Sequence, residues 1–457
     1  MDEPTLRTTV EAMMPQVRAD LERLVRIPSI SSEGFPGEPV VAAAEATRDL
    51  LASVGMDDAR LIDLPAGHPP AVVASLPAPE GAPTVLMYAH YDVQPIGDAV
   101  AWVTPAFEPA EREGRLFGRG SADDKAGVVA HAAAVRAFGG RPPVGVKIVV
   151  EGEEETGASA LDEFVPAHPH LFSADAIVVA DMGNVEVGIP TLTTSLRGVT
   201  SVVVEVRTLR NEIHSGLFGG PAPDALMALI RMLDTLQDAD GGCAVRGLAS
   251  SDWTGLDQSE DEFRRLAGVQ DGVALAGSGT VGSRLWARPS VNVIGIDAPP
   301  VHGSRNILVD VARARVSLRV PPGQDPREAQ RLLTAHLEAQ TPPRARATIT
   351  PMETGPGIRV ASDGPVYAVM RGAMAAAFGR EVGEMGSGGS IPLIEAFART
   401  FPHAEIVMFG AEEPRSNIHA PNESVDLEEL EKIVLAEALL LAGLGGPNPA
   451  TGPTLVG

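Results

Sequence analysis

Apolar and polar positions follow two periods along this chain, and the change of period marks its organisation. Over residues 5–26 apolar side chains recur every three or four positions, as on one face of a helix, and 42–54 repeats the pattern. The stretches 72–76, 84–88, 144–150 and 176–180 are short apolar runs and read as largely buried strands. Between them, 126–138 is rich in alanine and valine and predicts a helix. Strands that alternate with helices imply a mainly parallel sheet with helices on both faces, an α/β fold.

The pattern changes near Thr191. Residues 200–207 and 309–320 alternate tightly, as strands with one wet face do. Helices are predicted at 223–236, with Pro223 in the first turn, and at 325–340, and a further strand at 346–352. The glycine-rich stretch 237–289 shows no usable period. From Gly364 an alanine-rich helix and a strand at 405–409 return to the earlier style, before a low-complexity tail at 445–457. The expected architecture is one α/β domain in two parts, 1–190 and 361–457, interrupted by an inserted α+β domain at 191–360.

Composition narrows the function classes. With 457 residues, 44% hydrophobic and 21% charged, the chain is globular and needs more than one core. A net charge of -24 argues against nucleic acid and anionic membranes as partners. No apolar run approaches the length of a membrane span, and the acidic start MDEPTLRTTVEAM lacks the apolar core of a secretory signal. Cys243 is the single cysteine, which excludes an internal disulfide and a thiolate metal site and predicts a reducing, cytoplasmic setting.

The chemistry-bearing residues sit at the ends of the apolar runs. His90-Tyr91-Asp92, Asp123-Asp124-Lys125, Glu153-Glu154-Glu155 and Asp181 each lie at or just past such a point, and His419 lies in a later loop. In an open α/β sheet, ligands gather at the carboxyl ends of the strands, so these segments are expected to converge. Carboxylates and imidazoles crowded this way repel one another unless cations lie between them. The pattern therefore predicts a dinuclear metal site. His90 is a candidate ligand and Asp92 the group that orients its ring. Asp123 follows the glycines of Gly118-Arg119-Gly120 and offers two oxygens that can bridge two cations. Asp123 or Ser121 is also expected to cap the helix that follows. In the acidic run, one glutamate can ligate while its neighbour takes a proton from water. His214 apart, the remaining histidines have no comparable setting.

Seven segments together carry a family resemblance: AHYDVQP (89–95), GRLFGRGSADDKAG (114–127), EGEEETGA (151–158), SLRGVT (195–200), EIHSGLFGGP (212–221), GGSIP (388–392) and NIHAPNE (417–423). They resemble the carnosinase and aminoacylase superfamily of dinuclear zinc metallopeptidases, most of all its cytosolic non-specific dipeptidase branch. The resemblance implies two zinc ions per subunit, with manganese or cobalt compatible with the same donors. One ion would be held by His90, Asp123 and Asp181, the other by Asp123, Glu155 and His419. Glu154 would be the general base and Asp92 the orienting group. The inserted domain would serve as lid and homodimer surface, with His214 reaching the partner's site. Asn306, Arg319, Gly389 and Ser390 would hold the substrate's backbone and carboxylate.

Acyl-removing members of that superfamily tend to carry Glu where this chain has Asp181, so a dipeptidase is expected, with a water shared by the two ions as the attacking group. Two other readings stay open: an N-acyl amino acid amidohydrolase with the same centre, and an inactive homologue that binds or assembles. The intact Glu154 and ligand set weigh against the last.

Overall fold

The first helix, Glu3–Val25, starts where the Asp2 side chain accepts the Thr5 N–H (3.1 Å) and buries Leu6, Val10, Val17, Leu21 and Leu24 along one stripe. The computed structural model describes residues 1–446 apart from 66, 158 and 390. Ser390, Ala158 and the tail beyond 446 thus lie outside the described residues. The chain divides into two units. The first takes Met1–Thr194, Val360–Glu384 and the chain from Ile391 onward; the second takes Ser195–Arg359 with 385–389.

In the first unit the strands run in the order Arg60–Ile62, Ala71–Leu76, Gly145–Glu151, Thr84–His90, Ala176–Val179, Glu405–Met408, Thr191–Leu196. Neighbours from Gly145–Glu151 through Glu405–Met408 pair in parallel; the pairs outside them are antiparallel. Alternation along Thr84–His90 sorts side chains to two faces. Val85, Met87 and Ala89 enter the core formed with the helices Lys125–Arg136 and Leu427–Leu444. Tyr88 turns the other way, against Phe397 of the helix Pro392–Thr400 (ring centroids 6.2 Å). The expected mainly parallel sheet with helices on both faces is what forms. A small sheet of Ala110–Arg112, Arg115–Phe117 and Ser424–Asp426 was not anticipated. Three-residue strands carry too little periodicity to be seen.

The second unit is a four-stranded antiparallel sheet in the order Ser290–Asp297, Val311–Val320, Gly198–Arg207, Arg346–Gly355. One face is apolar: Val202, Val204, Val206, Val316, Leu318 and Val320 bury against Leu229 and Leu333 of the helices Ala225–Asp234 and Pro326–Ala339. The first of these helices starts later than expected. Asp224 caps it by accepting the Met227 N–H (3.0 Å), which leaves Pro223 outside rather than in the first turn. The unassigned stretch contains the helix Glu260–Ala267 and the π-helical turn Ser283–Ala287. It leads into the edge strand Ser290–Asp297, whose Val293, Ile294 and Ile296 are exposed, so its pattern gave no burial signal. Among the described residues no helix is long and apolar enough to cross a membrane.

Candidate metal centre

Parallel strands deliver the first unit's acids to one place. His90 ends its strand with no solvent exposure. Its Nδ1 lies 3.1 Å from the Asp92 carbonyl oxygen and 3.3 Å from Asp92 Oδ1. Its Nε2 lies 2.9 Å from Asp123 Oδ1 and 3.8 Å from Asp181 Oδ1. Asp92 is itself held by the Ser31 hydroxyl (2.6 Å) and the Glu155 N–H (3.2 Å). One ring nitrogen is therefore turned to the orienting carboxylate and the other to the acidic cluster.

His419 completes the opposite side. Its Nε2 lies 2.9 Å from Asp123 Oδ2 and 3.2 Å from Glu155 Oε2. The two oxygens of Asp123 thus each face one histidine. Glu155 accepts from the Gln94 N–H (3.1 Å) and the Gln94 side-chain amide (2.8 Å), which fix its carboxylate. The candidate ligand atoms form three groups, each within 4.8 Å: His90, Glu154 and Asp181; Asp123, Glu155 and His419; Asp123, Asp181 and Glu412. Glu154 stands with His90 and Asp181, beside the group expected to hold the first ion.

Charge in this cluster is badly balanced. Burial, then the neighbouring carboxylates, pushes Glu154 up to about 8 despite His90. Burial above all raises Asp181 and Glu412 well beyond the usual carboxylate range. Burial works the same way on Asp123, but the hydrogen bonds from His419 and His90 overcome it and hold that carboxyl low. The same bonds with Asp123 and Glu155 lift His419 to about 10. Among the described residues, no lysine or arginine pairs with Asp123, Glu154, Glu155 or Asp181. Divalent cations fit this donor set of imidazoles and carboxylates, and their charge would remove the imbalance.

Two parts of the centre escaped the sequence reading. Glu412 was missed, although it carries the same signal as the others: an acid just past an apolar strand, here Glu405–Met408. Glu423 was quoted only within a motif. Fully buried, it accepts the N–H groups of Gly120 (3.0 Å), Ala122 (3.0 Å) and Asp123 (3.1 Å) and an Arg119 Nη1 hydrogen (2.7 Å). It braces the loop that presents Asp123. Gly120 sits there at φ +82, where a Cβ would meet Val93 at 2.5 Å. The helix cap also needs correcting. Asp124, not Asp123 or Ser121, caps Lys125–Arg136, accepting the Gly127 N–H (3.1 Å). Asp123 is committed to the histidines, and among the described residues the Ser121 hydroxyl has no hydrogen-bond partner. The rest of the acidic run points elsewhere: Glu151 accepts from the Tyr88 hydroxyl (2.6 Å) and Glu153 faces His68 Nδ1 (2.8 Å).

The other candidates belong to the second unit. His214 is exposed, and its Nδ1 accepts the N–H groups of Gly216 (3.1 Å) and Leu217 (3.3 Å), which leaves the ring proton on Nε2. Asn306 is exposed, and its carbonyl accepts the Ser215 N–H (3.0 Å). Arg319 is half-buried on Val311–Val320, opposite Val199 and Ser290. Gly389 is exposed and donates its N–H to Ser387 Oγ (3.2 Å).

Comparison with known proteins agrees in direction. Residues 86–442 match peptidase family M20/M25/M40. The chain is 38% identical over 371 residues to a cysteinylglycine-S-conjugate dipeptidase of Corynebacterium striatum, covering 80% of this chain and 82% of that protein. It is 26% identical over 440 residues to the beta-Ala-His dipeptidase of Homo sapiens, covering 91% and 86%. Among solved structures, the di-peptidase Dug1p from Saccharomyces cerevisiae has a TM-score of 0.83 at 22% identity, over 97% of this chain and 98% of that one, a likeness of fold.

Proposed function

Because the chain belongs to peptidase family M20/M25/M40, we propose that it cleaves free dipeptides at the acidic centre of its first unit, S-substituted cysteinylglycine among them. The enzyme is a metal-dependent dipeptidase, as its relatives are. The observation that supports this reading is Asp123, whose two oxygens face His90 and His419 among carboxylates that pair with no lysine or arginine among the described residues. His90, Asp123 and Asp181 would hold one zinc ion and Asp123, Glu155 and His419 the other; manganese or cobalt suits the same donors. Bound there, such ions supply positive charge that polarises a scissile carbonyl and acidifies a water.

The chain's own residues do the rest. Glu154, which stands with His90 and Asp181, takes a proton from the attacking water and returns it to the leaving amine. Asp92 keeps the His90 ring in its working orientation. His214 offers its Nε2 hydrogen to the developing oxyanion, and Asn306, Arg319, Gly389 and Ser390 take the substrate's backbone and carboxylate. The apolar edge strand with Val293, Ile294 and Ile296 supports a homodimer, in which His214 serves the partner's site. The lone cysteine, Cys243, supports a cytoplasmic setting.

The test is a hydrolysis panel of dipeptides beside N-acyl amino acids, after loading with zinc, manganese or cobalt. Dipeptides should give the higher kcat/KM. The reverse order would make the enzyme an N-acyl amino acid amidohydrolase, and no turnover with any metal would leave a binding subunit.

A further inference from the structure

Between Ala126 and Val135 the helix Lys125–Arg136 is built of alanine, valine and glycine with one exception, His131. Its ring is fully buried, and Ala130, Ala132 and Ala134 around it belong to the first unit's core. Nδ1 lies 3.1 Å from both carboxylate oxygens of Glu437, itself fully buried on the helix Leu427–Leu444. Nε2 lies 2.9 Å from the Tyr88 carbonyl oxygen. A carbonyl only accepts, so this nitrogen carries a hydrogen and donates it. An imidazole and a carboxylate are a costly way to pack two helices, because apolar side chains do so without taking charge out of water. The pair therefore calls for a reason beyond packing.

Tyr88 supplies one. Its carbonyl also accepts the Ala180 N–H (3.1 Å), so both of its lone pairs are engaged. That second bond is the last rung between two parallel strands, Thr84–His90 and Ala176–Val179, whose pairing ends at Tyr88 and Val179. His90 lies two residues past the rung on one strand, and Asp181 directly follows Ala180 on the other. There the two side chains approach each other, with His90 Nε2 and Asp181 Oδ1 3.8 Å apart. One helix thus holds this strand end twice. Asp124 at its cap accepts the His90 N–H (3.3 Å), and His131 farther along donates to Tyr88.

We propose that His131 is a positioning residue of the metal centre: through the Tyr88 carbonyl it fixes the last rung between the strands that present His90 and Asp181, and so sets the spacing of those two side chains. Glu437 holds the ring in place for that bond. His131 can act this way only if His90 and Asp181 share one ion, as the metal-dependent reading above has it. The other ion, assigned to Asp123, Glu155 and His419, has no ligand on these two strands and should not respond.

The experiment titrates metal-free wild type, H131N, H131Q and D181N with cobalt against a competing chelator and reads the two stepwise binding constants. Asparagine keeps a donor near the Nδ1 position but loses the reach to Tyr88, whereas glutamine places its amide nitrogen near Nε2. D181N marks the constant that belongs to the ion of His90 and Asp181. H131N should weaken that constant about tenfold or more, as loss of a group that orients a ligand does, and leave the other unchanged. H131Q should stay close to wild type. Added to D181N, H131N should do little more, because both act on the same ion. If H131N and H131Q behave alike, or both constants fall together, His131 only joins the two helices and the proposal is overturned. Failure of H131N to fold has the same meaning. A wild type that binds no ion overturns the metal reading itself. A wild type with two ions, matched by H131N, overturns the role of His131 alone.

Discussion

The acidic centre of the first unit and the arginine pair of the second are opposites built on the same rule. In one, Asp123, Glu154, Glu155 and Asp181 crowd around two imidazoles and, among the described residues, pair with no lysine or arginine. In the other, Arg197 and Arg319 share a face, and among the described residues neither forms an ion pair. Between them stand buried charges that are fully matched, such as Arg119 with Glu423. A fold that pairs buried charges such as these, and leaves so many carboxylates together without a cationic side chain, is prepared there for cations.

The comparison breaks first at the cations. Exhaustive chelation should abolish hydrolysis, and zinc should restore it; elemental analysis of protein purified without chelator should find about two ions per chain. Full activity in metal-free protein would end the reading of the acidic cluster. Next comes the division of labour in the acidic run. E154Q should cut kcat by about 10²–10⁴-fold with metal content unchanged, whereas E155Q should lose metal as well. The opposite pattern would shift the roles by one residue.

His214 tests whether the second unit joins in the chemistry. H214A should lower kcat about a hundredfold or more, without loss of metal. If His214 serves the partner's site, mixing H214A with E154Q subunits should bring activity back in heterodimers. Confirmed subunit exchange with no recovery would confine His214 to its own chain. A matched buried pair should behave differently from either unmatched set. E423A strands the buried Arg119 and three N–H groups, and should destabilise the protein by roughly 3–5 kcal/mol in denaturant titration, whatever the ligand state.

The smallest effect sharpens the rule itself. Asp162 is an unmatched carboxyl outside the centre, with a buried Oδ1 that has no hydrogen-bond partner among the described residues. Burial, then Glu395, raises it to about 6. Because its folded value is raised, its stabilising contribution is present below the unfolded value of 3.8 and lost as pH rises through about 6. D162N should therefore raise the melting temperature slightly at pH 8, have no such effect at pH 3.5, and leave the metal content as it was. A drop in metal content would show that unmatched charge alone does not single out the centre.

Much of the first unit could be read from the chain because two signals coincided there. Apolar runs of buried parallel strands are conspicuous, and the acids that follow them are placed by topology alone. His90, Asp123, Glu155, Asp181 and His419 come together for that reason, with the motif resemblance adding the loop-borne His419. What could not be read was set by contacts distant in sequence. Nothing local distinguishes Asp124 from Asp123 as the cap; the choice follows from which carboxylate the histidines claim. Glu423 looks like a surface acid until the loop that buries it is known, whereas Glu412 carried the same signal as the other acids and was passed over. In the second unit, the edge strand Ser290–Asp297 exposes both its faces and so shows no period. Among the described residues Arg197 forms no ion pair, and a sequence does not show absences of that kind.

The bond from the Asp123 N–H to Glu423 spans 300 residues, and His419 comes from the same late segment. This sets an order of events during synthesis. His90, Asp123, Glu154 and Asp181 leave the ribosome long before the groups that complete and brace their site exist. A nascent chain therefore carries half a cation trap, with its bridging loop unsupported, until nearly the whole polypeptide is made. Closing so long a loop is slow, and it comes late. Capture of the ion assigned to Asp123, Glu155 and His419 is thereby deferred to a nearly complete chain, and one cut short before Asn417 lacks a ligand for that ion and the brace for the loop they share.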